Sequence, residues 1–396
     1  MAKTYQEEVV KPNDMVSKLA HRINVASYEY SPAVIVRQLG KGFRSLVVCD
    51  LSMPILEGMV KRRISFIPQN DGAGRKPAFA TLLGDPKMFY GLGSELCSMC
   101  DDDIAAKGGK ALWLANQIDT PRITAENLPL IQAFLRGFGY SLKINKRPNP
   151  TGETAVMDTA ITAFCDIGGK EQFILTWSGA SVGVIDHDKA FYIDRVKPGM
   201  PIVGLVDPGQ GCNGSGNGIK IISKLWGTDP RGIQPKPEAT KFVRMLCIGT
   251  PSFANFIAEM NGYGDEGQSF EPPVNMVAVG HITGGGIWKK GADILPPGIG
   301  AEIDKLPRSK VLAAIQDYSF RAGFNFNDQR MLGDYHGGCR VWVICKTEKD
   351  AHLLVSYAAN RGIQAARIGV TTRDRKRKIH VLSPYQERRW IDPPTE

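Results

Sequence analysis

Five short segments carry the residue types from which chemistry could be built. Asn70-Asp71-Gly72-Ala73-Gly74-Arg75-Lys76 follows the apolar run Ile64 to Ile67. Its glycines let backbone N–H groups approach a phosphate, Arg75 and Lys76 supply countercharge, and Asp71 suits Mg²⁺. A plain tight turn accounts for the same glycines. Met99-Cys100-Asp101-Asp102-Asp103 sets three carboxylates side by side. They repel unless solvated or near a cation, so Mg²⁺ is one reading and a dipole-stabilised helix N-terminus is the other. Thr151-Gly152-Glu153-Thr154-Ala155 offers a carboxylate and two hydroxyls, or an exposed turn.

The fourth segment, Asp207 to Gly218, follows the strand Pro201 to Val206 and opens a helix. Gly209-Gln210-Gly211-Cys212-Asn213-Gly214 spells G-x-G-x-x-G, but a dinucleotide fold needs an acidic residue at a strand end about 20 positions on. Asp229 is near that distance and lies in the turn Gly227-Thr228-Asp229-Pro230. A phosphate cradle at a helix N-terminus fits better, and a ligand-free glycine loop is the bland alternative. The fifth, His281-Ile282-Thr283-Gly284-Gly285-Gly286, joins a histidine to three glycines whose entropic cost suggests close approach to a ligand. His281 could transfer a proton, donate a hydrogen bond, or satisfy a loop carbonyl.

The elements that must position these segments read as strands alternating with helices. Strands are expected at Ser45 to Cys49, Ile64 to Ile67, Ala111 to Ala115, Phe173 to Trp177, Ser181 to Ile185, Pro201 to Val206, Met276 to Val279, Arg340 to Cys345 and Ala366 to Val370. Helices are expected at Leu128 to Arg136, Gly218 to Trp226, Ser252 to Met260, Lys310 to Phe320 and Glu348 to Asn360. The mixture predicts an α/β (α+β) protein. A break at Val196-Lys197-Pro198-Gly199 divides the 396 residues into domains 1–195 and 196–396.

With 43% hydrophobic and 22% charged residues the chain can fill sizeable cores, which excludes a disordered class. No apolar run reaches bilayer length and the N-terminus is polar, so a cytoplasmic protein without membrane contact is expected. Cys97 and Cys100 have C-x-x-C spacing but no second pair, which favours packed reduced thiols over zinc. The net charge of +9 suits anionic small substrates or nucleic acid. The basic run Arg373, Arg375, Lys376, Arg377 and Lys378 has no interleaved aromatic, reads as a solvated hairpin turn, and does not point to nucleic acid as a partner.

In order, these segments resemble the aminoimidazole ribonucleotide synthetase (phosphoribosylformylglycinamidine cyclo-ligase) superfamily. Its members carry Asp-Gly-Val-Gly-Thr-Lys, Met-Cys-Val-Asn-Asp, Gly-Gly-Glu-Thr-Ala, a glycine- and asparagine-rich loop, and His-(Leu or Ile)-Thr-Gly-Gly-Gly. Here Asp71 to Lys76, Met99 to Asp103, Gly152 to Ala155, Ser215 to Gly218 and His281 to Gly286 stand in the same order, with Ile294-Leu295-Pro296 after the last. The resemblance runs from about residue 60 onward.

The resemblance implies a two-domain fold of mixed sheets flanked by helices, with a homodimer formed through the N-terminal ATP- and metal-binding domain. It implies an ATP- and Mg²⁺-dependent ring closure of formylglycinamidine ribonucleotide, with release of ADP and phosphate, in purine biosynthesis. By position it implies metal association at Asp71 and Asp103, and phosphate or cofactor contact at Asp71, Gly72, Gly74, Lys76, Gly284 and Gly285. Glu153, Asn217 and His281 would line the interdomain cleft as catalytic residues. The chain departs from the pattern at Arg75, Asp101-Asp102 and Thr151. Ser215 replaces a histidine for which His336 is a candidate substitute. Two alternatives stand beside this reading. One is a related ATP-dependent enzyme acting on another substrate, and the other is a non-catalytic nucleotide-binding relative.

Overall fold

The computed structural model describes residues 11–39, 46–161 and 173–394. Three sheets organise them. Strands β1 (Val34–Leu39) and β2 (Leu46–Leu51) form an antiparallel ribbon. Strands β3 (Ile64–Gly72), β4 (Lys110–Thr120), β5 (Gly152–Val156) and β6 (Thr176–Asp186) form a sheet in the order β3-β6-β4-β5. A seven-stranded sheet, ordered β13-β12-β9-β11-β7-β10-β8, follows. It contains β7 (Pro201–Val206), β8 (Met276–His281), β9 (Ile299–Ile303), β10 (Cys339–Cys345), β11 (Ala365–Arg373), β12 (Ile379–Leu382) and β13 (Trp390–Ile391). Both larger sheets mix parallel and antiparallel pairs and pack against helices, the expected mixed α/β class.

The helix Glu95–Ala106 packs on β3, β4 and β6 on one side and on β8 on the other. It thus touches both larger sheets. One contiguous apolar core includes Phe79, Leu96 and Trp177 from the first sheet's layer and Ile202, Ile222 and Trp342 from the second's. Cys97 and Cys100 are fully buried on this helix, and burial pushes the Cys97 thiol up to about 12, so both serve as packed thiols.

Two expectations change. Of the expected strand Phe173 to Trp177 only Thr176 and Trp177 are in strand, and they join Ser181 to Ile185 in one strand, β6, running through Gly179. A Cβ on Gly179 would lie 2.4 Å from the Ala115 carbonyl oxygen and 2.6 Å from Leu96 Cδ2. The glycine therefore marks close helix-on-sheet approach, not a chain break. The basic run is not a hairpin turn either. The chain leaves β11 and enters β12, but β9 lies between them, antiparallel to one and parallel to the other. Strand expectation Ser45 to Cys49 begins outside the described residues and is otherwise covered by β2. Among the described residues no helix is long and apolar enough to cross a membrane.

Candidate active site

Helix Glu95–Ala106 presents its three adjacent aspartates about 100° apart, so each meets a different environment. Asp101 is buried, accepting from Ser181 Oγ at 2.7 Å and Arg147 Nε at 3.0 Å. Asp102 is buried too, accepting from Ser252 Oγ and the Phe253 N–H at 2.8 Å each, and from Arg340 Nη1 at 2.7 Å. Only Asp103 remains partly open, its side chain 30% exposed, accepting from Gln69 Nε2 at 2.8 Å. The helix N-terminus reading fails because the three lie in the helix's second half, where the dipole disfavours carboxylates. Arginines and hydroxyls compensate two of them.

Gln69 and Asp71 alternate along β3 and face this helix. Asp71 is close enough to feel the charges of Asp103, His281 and Lys290. Burial, with repulsion from Asp103, pushes its carboxyl above the usual range, against the pull of the Gly72 N–H, His281 and Lys290. Burial also works against Asp103, but the hydrogen bond and charge of His281, with Lys107 and Lys290, hold it below that range. Two mutually repelling carboxylates, one half-buried, fit a divalent cation that draws its remaining ligands from phosphate oxygens and water. They do not form an all-protein cage. Among the described residues no group of three or more His, Cys, Asp or Glu is placed to hold a metal.

His281 ends β8 with its side chain 2% exposed. Its Nδ1 lies 2.7 Å from Asp103 Oδ1, and its Nε2 lies 2.6 Å from Arg340 Nη1. The guanidinium has no lone pair to offer, so Nε2 accepts and Nδ1 carries the proton donated to Asp103. Both ring nitrogens are therefore occupied, and the ring aims Asp103. Arg340, which belongs to none of the five motif segments, is the second residue of the otherwise apolar strand β10. It also donates from Nε to Asp207 Oδ2 at 2.8 Å and from Nη2 to the Pro251 carbonyl. A lone arginine heading an apolar run was the available signal.

Three glycine turns adjoin this cluster. Gly74, at φ 61°, sits where a Cβ would lie 2.8 Å from the Cys212 carbonyl oxygen, so the first turn presses on the glycine-rich loop. A Cβ on exposed Gly284 would lie 3.6 Å from Asn213 Oδ1, so that loop also meets the His281 turn. Gly285 is exposed beside Gly284. Gly72 ends β3, its N–H donating to Asp71 Oδ1 at 2.6 Å.

The remaining expected residues lie elsewhere or are engaged otherwise. Lys76 does not present its amine to a phosphate. It is fully buried, donating to Glu95 Oε1 at 2.8 Å, Thr250 Oγ1 at 3.1 Å and the Ile248 carbonyl. The same Glu95 accepts from the Cys212 thiol at 2.6 Å. Glu153 stands on edge strand β5, about 14 Å across the sheet from Asp71, three strand spacings away. Its register partner Gln117 shares the sheet face opposite Asp71, so Glu153 does not join the cluster in one chain. Asn217, in helix Ser215–Trp226, donates to Asp334 Oδ2 at 2.8 Å. Asp229 caps the short helix Pro230–Ile233 and pairs with Arg231, as a turn residue would.

His336 lies buried behind the glycine-rich loop, accepting at Nδ1 from the Gly338 N–H at 3.1 Å. Burial drives its pKa down to about 4, with Arg340 adding to that and Asp207 opposing. Its folded value lies below the unfolded one near 6.5, so the unfolded chain takes up the proton first. This contribution to stability is complete above pH 6.5 and is lost as pH falls toward 4. We expect the wild-type advantage over His336→Asn to shrink by roughly 2 kcal/mol between pH 6.5 and 5 in urea melts. A pH-independent difference would refute the buried neutral ring.

No protein-family model matches the chain. Phosphoribosylformylglycinamidine cyclo-ligases of Staphylococcus aureus strains MSSA476 and JH9 are each 23% identical to it, over 79% of this chain and 82% of theirs. In structure it is similar to the hydrogenase maturation protein HypE in complex with ATP, at TM-score 0.53 and 13% identity over 84% of this chain and 85% of that one. It is likewise similar to thiamine-monophosphate kinase from Stenotrophomonas maltophilia, at TM-score 0.55 and 14% identity over 91% and 94%. The chain is thus weakly similar to the aminoimidazole ribonucleotide synthetases over 79% of its length and shares the fold of these solved structures, which fits a divergent member of that superfamily. The carboxylate–histidine–arginine cluster joins residues from both larger sheets.

Proposed function

We propose that the chain is an ATP-dependent cyclo-ligase converting formylglycinamidine ribonucleotide to aminoimidazole ribonucleotide, with release of ADP and phosphate. The observation that carries this reading is the meeting of Asp71, Asp103 and His281 beside three contacting glycine turns. Bound Mg²⁺ would supply charge neutralisation for phosphoryl transfer. Asp71 and Asp103 would hold it, and the backbone around Gly72, Gly74, Gly284 and Gly285 would face phosphate. His281 would orient Asp103 and is itself held by Arg340. Asn217 holds Asp334 at the loop's helix. Residues 1–195 and 196–396 would be the two domains.

Purified protein supplied with ATP, Mg²⁺ and formylglycinamidine ribonucleotide should release ADP and aminoimidazole ribonucleotide in equal amounts. ADP without the imidazole product would replace this reading with the second one, a related ATP-dependent enzyme on another substrate. Ser215 in place of the family's histidine favours that alternative. His281→Asn should lower turnover and Mg²⁺ affinity together by about 10- to 100-fold, as loss of a ligand's orienting partner does. Unchanged Mg²⁺ dependence in that variant would remove His281 from the site.

A homodimer through the first sheet is part of the same reading. The face of the four-stranded sheet opposite helix Glu95–Ala106 carries Trp113, Ala115, Ala180 and Val182, each only partly covered, with Phe66 exposed on edge strand β3. Glu153 lies on that face, so association would bring it into contact with a second copy.

A further inference from the structure

The geometry points to a second ligand site, for a nucleoside phosphate, at the opposite strand ends from the Asp71 cluster. A cavity of ≈ 1050 Å³ opens there, lined by the linker that follows β6, the start of β8 and the end of β10. Strand β8 runs from Met276 at the cavity to His281 at the candidate active site, about 17 Å away.

Five cationic and three acidic residues line this cavity, a surplus of two positive charges. Internal pairing consumes part of the set. Arg62 holds Asp186 at 2.7 Å, and Lys189 donates to the carbonyls of Asn261 and Phe270 at 3.1 and 2.8 Å. Arg195, Lys197 and Lys346 remain. Among the described residues none of these three is in an ion pair, and Arg195 only lies over the Tyr192 ring at 4.9 Å. Ser269 adds a buried hydroxyl without a partner.

The walls match the rest of such a ligand. Phe191, Phe270 and Met276 offer an apolar surface for a flat base. Glu271 and Asp188 supply acceptors for sugar hydroxyls, and the three unpaired cations suit phosphate. The volume is at the upper end of small-molecule sites, roomy for one nucleotide. The site is formed by the linker and both larger sheets, so its occupant would bridge them.

The test uses ADP as probe on the full chain in EDTA, which removes the divalent ion that the Asp71 site requires. Calorimetry should show one ADP bound to wild type and to Asp71→Asn with equal affinity. Lys197→Glu/Lys346→Glu should weaken that binding at least tenfold while leaving Mg²⁺-dependent ATP turnover intact. Absence of ADP binding in EDTA, or binding indifferent to the double substitution, overturns the proposal. Neither result bears on the Asp71 site, whose failure would appear instead as ATP turnover indifferent to Asp71→Asn.

Discussion

Replacing Arg340 with methionine will destabilise the protein by about 3–5 kcal/mol, the penalty of leaving buried carboxylates without their counter-ion. Arg340 bonds Asp102 and Asp207, and all three side chains are at most 1% exposed. Burial pushes Asp207 up, and His336, Arg340 and Lys76, with the Gly209 N–H, together bring it below the usual range. Methionine roughly fills the arginine's stem and restores none of its N–H bonds. Lysine keeps the charge but not the fork that reaches Asp207, Asp102, His281 and the Pro251 carbonyl at once, so Arg340→Lys should recover only part of the loss. Urea unfolding of the three proteins at pH 7 checks the order. Equal midpoints for methionine and wild type would show that the two carboxylates find other partners.

Asp71→Asn will move stability and activity in opposite directions. The wild-type carboxyl is held above its usual range by burial and by Asp103, so above that range its ionised form opposes folding. An acid whose folded pKa is raised stabilises the protein only at low pH, and that benefit disappears as pH rises through the folded value. Asparagine keeps the oxygen that accepts from Gly72 and removes the repulsion, so the metal-free variant should melt higher at pH 7. The same substitution removes half of the proposed cation pair, and ATP turnover should fall at least about 100-fold. Mg²⁺ should raise the melting temperature of wild type and not of the variant. Retained turnover would sink the assignment of the metal to this pair.

Asp71, His281 and the glycine turns were legible because they stand at or just after strand ends, where side chains escape the sheet and backbone can approach a ligand. What could not be read was the direction of each side chain around a helix. Asp101, Asp102 and Asp103 are adjacent letters, yet only Asp103 joins the candidate site, a matter of angular position. Lys76 looked like a phosphate ligand by motif position. It is drawn inward because Glu95, remote from it in sequence, needs a buried partner. Gly179 hid a continuous strand, since a glycine in an apolar stretch spells a turn as readily as a close approach. Strand β7 and helix Glu348–Asn360 appear as expected because each is a short periodic run with clear flanks.

Helix Glu95–Ala106 is fastened at both ends to groups synthesised much later, Glu95 to Thr250 and Cys212, and Asp102 to Ser252 and Arg340. An emerging polypeptide that has reached only Met200 carries Lys76 and Glu95 as a lone pair lacking their outer shell, and Asp102 with no cation. The first half therefore lacks these partners until the second is made. The last of these partners, Arg340, is made only when most of the chain has been synthesised, so the buried charges of the helix are completed late, in the period when larger chains expose unpaired surface.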